Sequence, residues 1–193
     1  LEKITYRFFD DTQSMAAAYE TGEVDVATAL PSSVMELYDG KEDLFVTDQI
    51  ATRYIYFNLN VKPFDDVRVR EAFNLAVDRE ELCKIVGEDT EPTYNLVAKY
   101  MKDKNTGKYF TAEAEQPFEE NIERAQKLLA EAGYPEGKGF PELTYSYPSL
   151  ELDSDTAQVI REQLKKNLNI EIKLNAQELQ TNYSMRCLLY TSP

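Results

Sequence analysis

Histidine is absent from this 193-residue chain. Without imidazole there is no side chain that ordinarily titrates near neutrality, no base for a Ser-His-Asp arrangement, and none of the commonest ligand for zinc, nickel and haem. Any chemistry would rest on carboxylates, lysine or tyrosine. Cysteine is nearly as scarce. Cys83 and Cys187 lie far apart, with no metal-ligand spacing around them and no disulfide framework. Cys83, in an apolar helical stretch, reads as a small buried hydrophobe. No apolar run approaches the roughly 18 residues that span a bilayer. A secretory leader is missing as well, but Leu1 begins inside folded-looking sequence, so that absence carries no information about secretion. Basic residues are in deficit, 21 against 35 acidic ones, for a formal net charge of −14. Counterion release rewards clustered Lys and Arg, so this balance argues against nucleic acid and disfavours an anionic membrane surface, although net charge does not fix the field at one site.

What is present is ordinary globular material, 42% hydrophobic and 29% charged, enough for one sizeable domain or pieces of two. The richest stretch is 54–81. Tyr54, Tyr56, Asn58 and Asn60 alternate with Ile55, Phe57, Leu59 and Val61, the period of a half-buried strand. Pro63 fixes its own φ and extends Lys62. Asp65 or Asp66 can then cap a helix over 66–77 with Val69, Phe73, Ala76 and Val77 on its apolar face.

Elsewhere the pattern alternates strand and helix, which favours an α/β layer. Strands are expected at 2–9, 24–26, 44–47, 50–61, 142–147 and 170–174. Helices are expected at 12–21 ending at Gly22, from Ser32 or Ser33 to near Gly40, and at 79–86 behind an Asp78–Glu81 capping box and ahead of Gly87. Further helices are expected at 118–132 closed by Gly133 and Pro135, and from Asp153 or Ser154 with Ala157, Ile160, Gln163, Leu164 and Leu168 inward. Residues 88–117 read as an ordered loop anchored by Tyr94, Tyr100, Tyr109 and Phe110. Residues 185–193 show no pattern that completes a domain.

Candidate chemistry is thin. Asp10-Asp11 and Asp65-Asp66 are adjacent carboxylates that point apart, and the second pair sits where a helix start favours an anion. Asp103 to Gly107 superficially resembles a calcium loop but lacks the later ligands; its twelfth position is Ala114. The glycines of 133–139 follow a helix rather than a strand, so they form a cap and turn and not a phosphate loop. Tyr54, Tyr56 and Asn58 offer one flat face with hydroxyl and amide groups, suited to an elongated polar ligand or to a domain seam. Arg53 could neutralise a carboxylate or an acidic neighbour.

The elements FN, PFDDVRVREAF and AVDRE within Tyr54–Glu81 resemble the signature stretch of the bacterial extracellular solute-binding proteins of family 5, the oligopeptide- and dipeptide-binding components of ABC importers. The resemblance includes Gly22-Glu23-Val24-Asp25-Val26, Ala125 to Tyr134, Gly139-Phe140-Pro141 and Asn169-Ile170-Glu171-Ile172. It covers the chain to about Tyr183, in the family's order. It implies an α/β, type II periplasmic-binding-protein-like fold of two lobes, here incomplete. Residues 1–57 would be the C-terminal portion of lobe I ending at the hinge, 58–184 a partial lobe II, and 185–193 an irregular truncated tail.

The resemblance further implies a transport component and not an enzyme, with no catalytic residue, no cofactor and no metal. Its ligand would be a peptide, with another small solute (sugar, opine or metal complex) or a sensor or chaperone role as alternatives. ABC permease subunits would be its membrane partners, with no nucleic acid and no transmembrane segment in these residues. The full-length protein would be a monomer, periplasmic or lipid-anchored on the extracellular face of a bacterial membrane. Ligand contacts carry over to Thr28, Ala29, Leu30 and Pro31 and to Arg53, Tyr54, Tyr56 and Asn58. The acidic residue that captures a peptide amine in some members is expected beyond the present C terminus. Asp66, Arg68 and Arg70 are expected to cap helices and build the lobe.

Overall fold

A computed structural model describes residues 2–28, 30–47, 49–86, 90–98, 100–109 and 118–191. Ala29, Gly87 and Phe110 lie outside the described residues. The chain forms two compact units, Leu1–Gln49 and Ile50–Pro193.

In Leu1–Gln49 two short helices carry the order. Helix α1, Thr12–Glu20, begins where the Asp11 carboxylate accepts the Ser14 amide, which also holds that carboxyl below its usual range. It buries Ala16 and Ala18 and ends before Gly22, whose φ of 74° suits a residue without Cβ. Helix α2, Ser32–Tyr38, is preceded by Pro31 in extended geometry; no side chain caps it, and the Pro31 carbonyl takes the Val34 and Met35 amides. The strands expected at 2–9, 24–26 and 44–47 do not form. Period-2 alternation selects a strand only where a neighbour completes its ladder, and the described residues supply none. Ile4, Tyr6 and Phe8 are accordingly exposed.

In Ile50–Pro193 the expected strand 50–61 is also unladdered, but it delivers Phe57 into an aromatic core. Phe57 stacks on Phe64 at 4.5 Å, Phe73 meets both edge-on, and Phe140 joins at 5.7 Å from Phe73. A turn through cis Lys62–Pro63 leads to helix α3, Val67–Leu75, capped by Asp66. Helix α4, Arg79–Val86, follows, with the Glu81 amide on Asp78 Oδ1 at 2.8 Å. Cys83 on α4 is half-buried rather than buried. Helix α5, Ile122–Glu131, packs Ala125 and Leu129 against α3, and a 3-10 turn, Pro135–Gly137, closes the segment.

Strands β1, Leu143–Pro148, and β2, Ile172–Gln177, form a parallel pair with Leu143 opposite Ile172, Tyr145 opposite Leu174 and Tyr147 opposite Ala176. Parallel neighbours need a crossover, and helix α6, Glu151–Leu168, supplies it. Its inward positions are Ala157, Ile160, Leu164 and Leu168, joined by buried Gln163 and Asn167. The expected cap at Asp153 or Ser154 is wrong by one turn: Leu150 precedes the helix, and Asp153 sits in its first turn. The expected irregular tail is wrong too. Helix α7, Leu179–Thr191, opens where Glu178 accepts the Gln180 and Thr181 amides. Polar and apolar residues alternate there without one dominant stripe, so side-chain periodicity gives little sign of the helix.

Two polar side chains of α6 fasten the α3–α4 junction. Gln163 accepts the Asp78 amide at 3.0 Å and donates to the Asp78 carbonyl and to Glu81. Asn167 donates to the Ala76 carbonyl at 2.7 Å. The capping box is therefore only half formed, because Gln163 takes the Asp78 amide that Glu81 would reach.

Candidate functional site

The residues expected to touch ligand fall in both units. In Leu1–Gln49, Thr28 is exposed, Leu30 is half-buried and Pro31 is buried at the start of α2. Pro31 thus fixes where the helix begins.

In Ile50–Pro193 the strand-like residues arrive at a tyrosine cluster. Arg53 donates to Asp153 at 2.7 Å, which pins the segment to the first turn of α6. Tyr54 is largely exposed, while Tyr56 is half-buried. The Arg186 guanidinium of α7 lies over the Tyr56 ring at 5.0 Å and over Tyr183, one turn back on the same helix, at 5.6 Å. No described carboxylate pairs with Arg186. Asn58 does something different: its side-chain oxygen accepts the Asn60 amide at 3.0 Å and holds the turn into Pro63.

Strand β1 completes the cluster. Tyr145 and Tyr147 share a face, with ring centres 5.6 Å apart. Burial pushes the Tyr145 hydroxyl up to about 12, helped by Asp153, Tyr147 and Tyr56 and opposed by Arg53. It remains a neutral hydrogen-bonding group at physiological pH. The assembled surface thus offers tyrosine rings, hydroxyls and two guanidinium groups against the carboxylate of Asp153. Tyr145, Tyr147, Asp153, Tyr183 and Arg186 were not singled out from sequence as site residues. The alternation in 142–147 could have exposed the first two; the last two lie on the unrecognised helix.

The AVDRE and PFDDVRVREAF elements build scaffold, as expected for Asp66, Arg68 and Arg70. Arg68 binds Asp66 and donates to the Glu131 carbonyl at the end of α5, and Arg70 donates to the Phe64 carbonyl. Arg79 pairs with Glu120 at 3.2 Å and lies over the Tyr94 and Phe118 rings. The Tyr94 hydroxyl donates to Glu120, and that bond, with burial, pushes it up to about 12.

Two open cavities also lie in this unit. One of about 390 Å³ is lined by Asp78, Glu120, Asn121 and Glu123 among others, and one of about 350 Å³ by Lys62, Asp65, Asp66 and Tyr134. Neither includes a residue of the tyrosine cluster. Among the described residues no group of three His, Cys, Asp or Glu side chains is arranged to hold a metal ion. No described helix is long and apolar enough to cross a membrane.

The profile of the bacterial extracellular solute-binding proteins, family 5 Middle, matches residues 1–187. The chain belongs to this family. Among curated family 5 relatives, the dipeptide-binding protein DppE of Bacillus subtilis is 26% identical over 176 residues, 90% of this chain and 32% of the relative. The glutathione-binding protein GsiB of Salmonella typhimurium is 34% identical over 141 residues, 71% of this chain and 26% of the relative. A crystal structure of the periplasmic oligopeptide-binding protein OppAIV of Borrelia burgdorferi superposes with a TM-score of 0.78 at 28% identity, over 92% of this chain and 34% of that one. The chain spans about a third of the length of DppE and OppAIV, so its type II periplasmic-binding-protein-like α/β fold is incomplete.

Proposed function

We propose that the whole protein is the substrate-binding component of an ABC importer, capturing oligopeptides or dipeptides by closing two lobes and presenting them to the permease without turnover. We assign residues up to about 57 to the first lobe and the following α/β residues to the second. The observation that carries this reading is the tyrosine and arginine surface of Ile50–Pro193. Its flat rings, neutral hydroxyls and guanidinium groups match a peptide's repeating amides and carboxylates, and recognition of backbone tolerates varied side chains. The names of DppE and OppAIV support the same ligand class.

Among the expected contact residues we assign peptide contact to Thr28, Arg53, Tyr54 and Tyr56. Leu30 is kept as a further contact beside Thr28, Ala29 stays an expectation from the resemblance alone, and Pro31 and Asn58 set backbone direction. The location would be periplasmic or lipid-anchored outside the membrane, and the full-length protein a monomer.

The test is mass spectrometry of ligand that co-purifies with the intact native protein, followed by calorimetry. Peptides should be retained, and Tyr56→Ala should weaken binding roughly tenfold, about 1.4 kcal/mol. Retention of a sugar, opine or metal complex instead, or consumption of the peptide on incubation, would overturn the reading.

A further inference from the structure

Arginine in this chain is mostly matched to a carboxylate, as the excess of 35 acidic over 21 basic residues favours. Arg7, Arg53, Arg68, Arg79, Arg124 and Arg161 each pair with an Asp or Glu. Arg70 instead donates to the Phe64 carbonyl. Arg186 departs from both patterns. Its guanidinium lies over the rings of Tyr56 and Tyr183, and among the described residues no carboxylate or carbonyl takes its N–H groups. Helix α7, Leu179–Thr191, contains no Asp or Glu, and neither do the two residues after it.

Stacking on rings uses the flat face of a guanidinium and leaves its five N–H donors, which lie in the plane, for another partner. Arg186 is half-buried, so an anion that reaches those donors gains more than it would in open water. The carboxylate of the tyrosine cluster is already committed, since Asp153 accepts from Arg53 at 2.7 Å. The cluster thus carries one cation in excess. Tyr183, beside the guanidinium, is 46% exposed. Its ring offers apolar surface on which methylene groups can lie while a carboxylate at their end meets the guanidinium fork. A glutamate side chain has that build. A free C terminus has the carboxylate without the methylene arm.

Resting on the peptide-binding reading above, we propose that Arg186 makes the site selective for peptides with an acidic side chain, glutamate first. The tyrosine hydroxyls read the backbone of any peptide, and Arg186 adds a charge preference at one side-chain position. A hydrogen bond between two charged groups is roughly twice as strong as a neutral one. Glutamate is therefore preferred over isosteric glutamine about tenfold at that position.

The test is calorimetry of the intact native protein with alanine tetrapeptides carrying Glu or Gln at each position in turn, with free or amidated C termini. At one position the Glu peptide should bind about tenfold tighter than its Gln partner. Arg186→Gln should bring that ratio to about one, whatever it does to affinity as a whole, and Arg186→Lys should keep part of it. Equal binding of Glu and Gln peptides to the unaltered protein overturns the proposal and leaves the peptide reading standing. A ratio that survives Arg186→Gln overturns it too, as does discrimination confined to free over amidated C termini. Failure of every peptide to bind would bring down the peptide reading itself, and this proposal with it.

Discussion

A methyl group on Gly137 would stand 2.7 Å from the Leu168 carbonyl and 2.8 Å from that of Asn169, at a φ of +72°. Here the turn after α5 passes over the end of α6, where Asn169 adopts the left-handed conformation and donates to the Glu136 carbonyl. Gly137→Ala should therefore cost about 1–3 kcal/mol, read as a lower denaturation midpoint. Gly139→Ala, at a similar φ but with nothing near its Cβ, should cost less; equal losses would show that close approach is not the cause. Sequence reading explained these glycines as cap and turn. Their spacing says nothing of the neighbouring carbonyls, which arrive from residues some thirty positions later. The same gap hides Arg186 from the site, because what it covers, Tyr56, lies in a distant segment.

Helices were more legible than strands because a helix satisfies its own backbone. Asp66, Asp78 and Asn121 each cap from within three residues, so their signals are local. The strands expected at 2–9 and 50–61 depend on partners that alternation alone does not identify. Long-range polar fastening was equally invisible: Gln163 fits an apolar stripe by position but serves Asp78 by hydrogen bonds. Gln163→Leu, which leaves the Asp78 amide without its acceptor while the Asp78 carbonyl keeps the Leu82 amide, should destabilise by about 1–3 kcal/mol in urea titration. No change would mean that water replaces it.

The Arg79–Glu120–Tyr94 group yields a pH prediction. Burial raises the Glu120 carboxyl, but the Tyr94 hydroxyl, backbone amides and Arg79 outweigh it and leave the carboxyl below its ordinary 4.5. A depressed carboxyl stabilises above its unfolded value and loses that contribution as pH falls through its folded value. Stability from this group should be level near neutrality and decline below about 4.5. Glu120→Gln should flatten that part of the profile relative to the unaltered chain.

For the molecule as a whole, exposed apolar side chains set the solution behaviour. Tyr6, Phe8 and Phe45 of Leu1–Gln49 are 80%, 93% and 84% exposed. Large rings left in water favour association. The 193-residue chain should show a concentration-dependent mass in sedimentation equilibrium, and Tyr6→Lys with Phe8→Lys should reduce it; one constant monomer mass would refute this. The docking of α7 through Arg186, on Tyr56 and on its own Tyr183, also offers an optical handle. Tryptophan is absent from the chain, so Tyr183→Trp would install a lone indole emitter beside that guanidinium, and its colour and intensity would follow, in real time, whether the last helix stays seated.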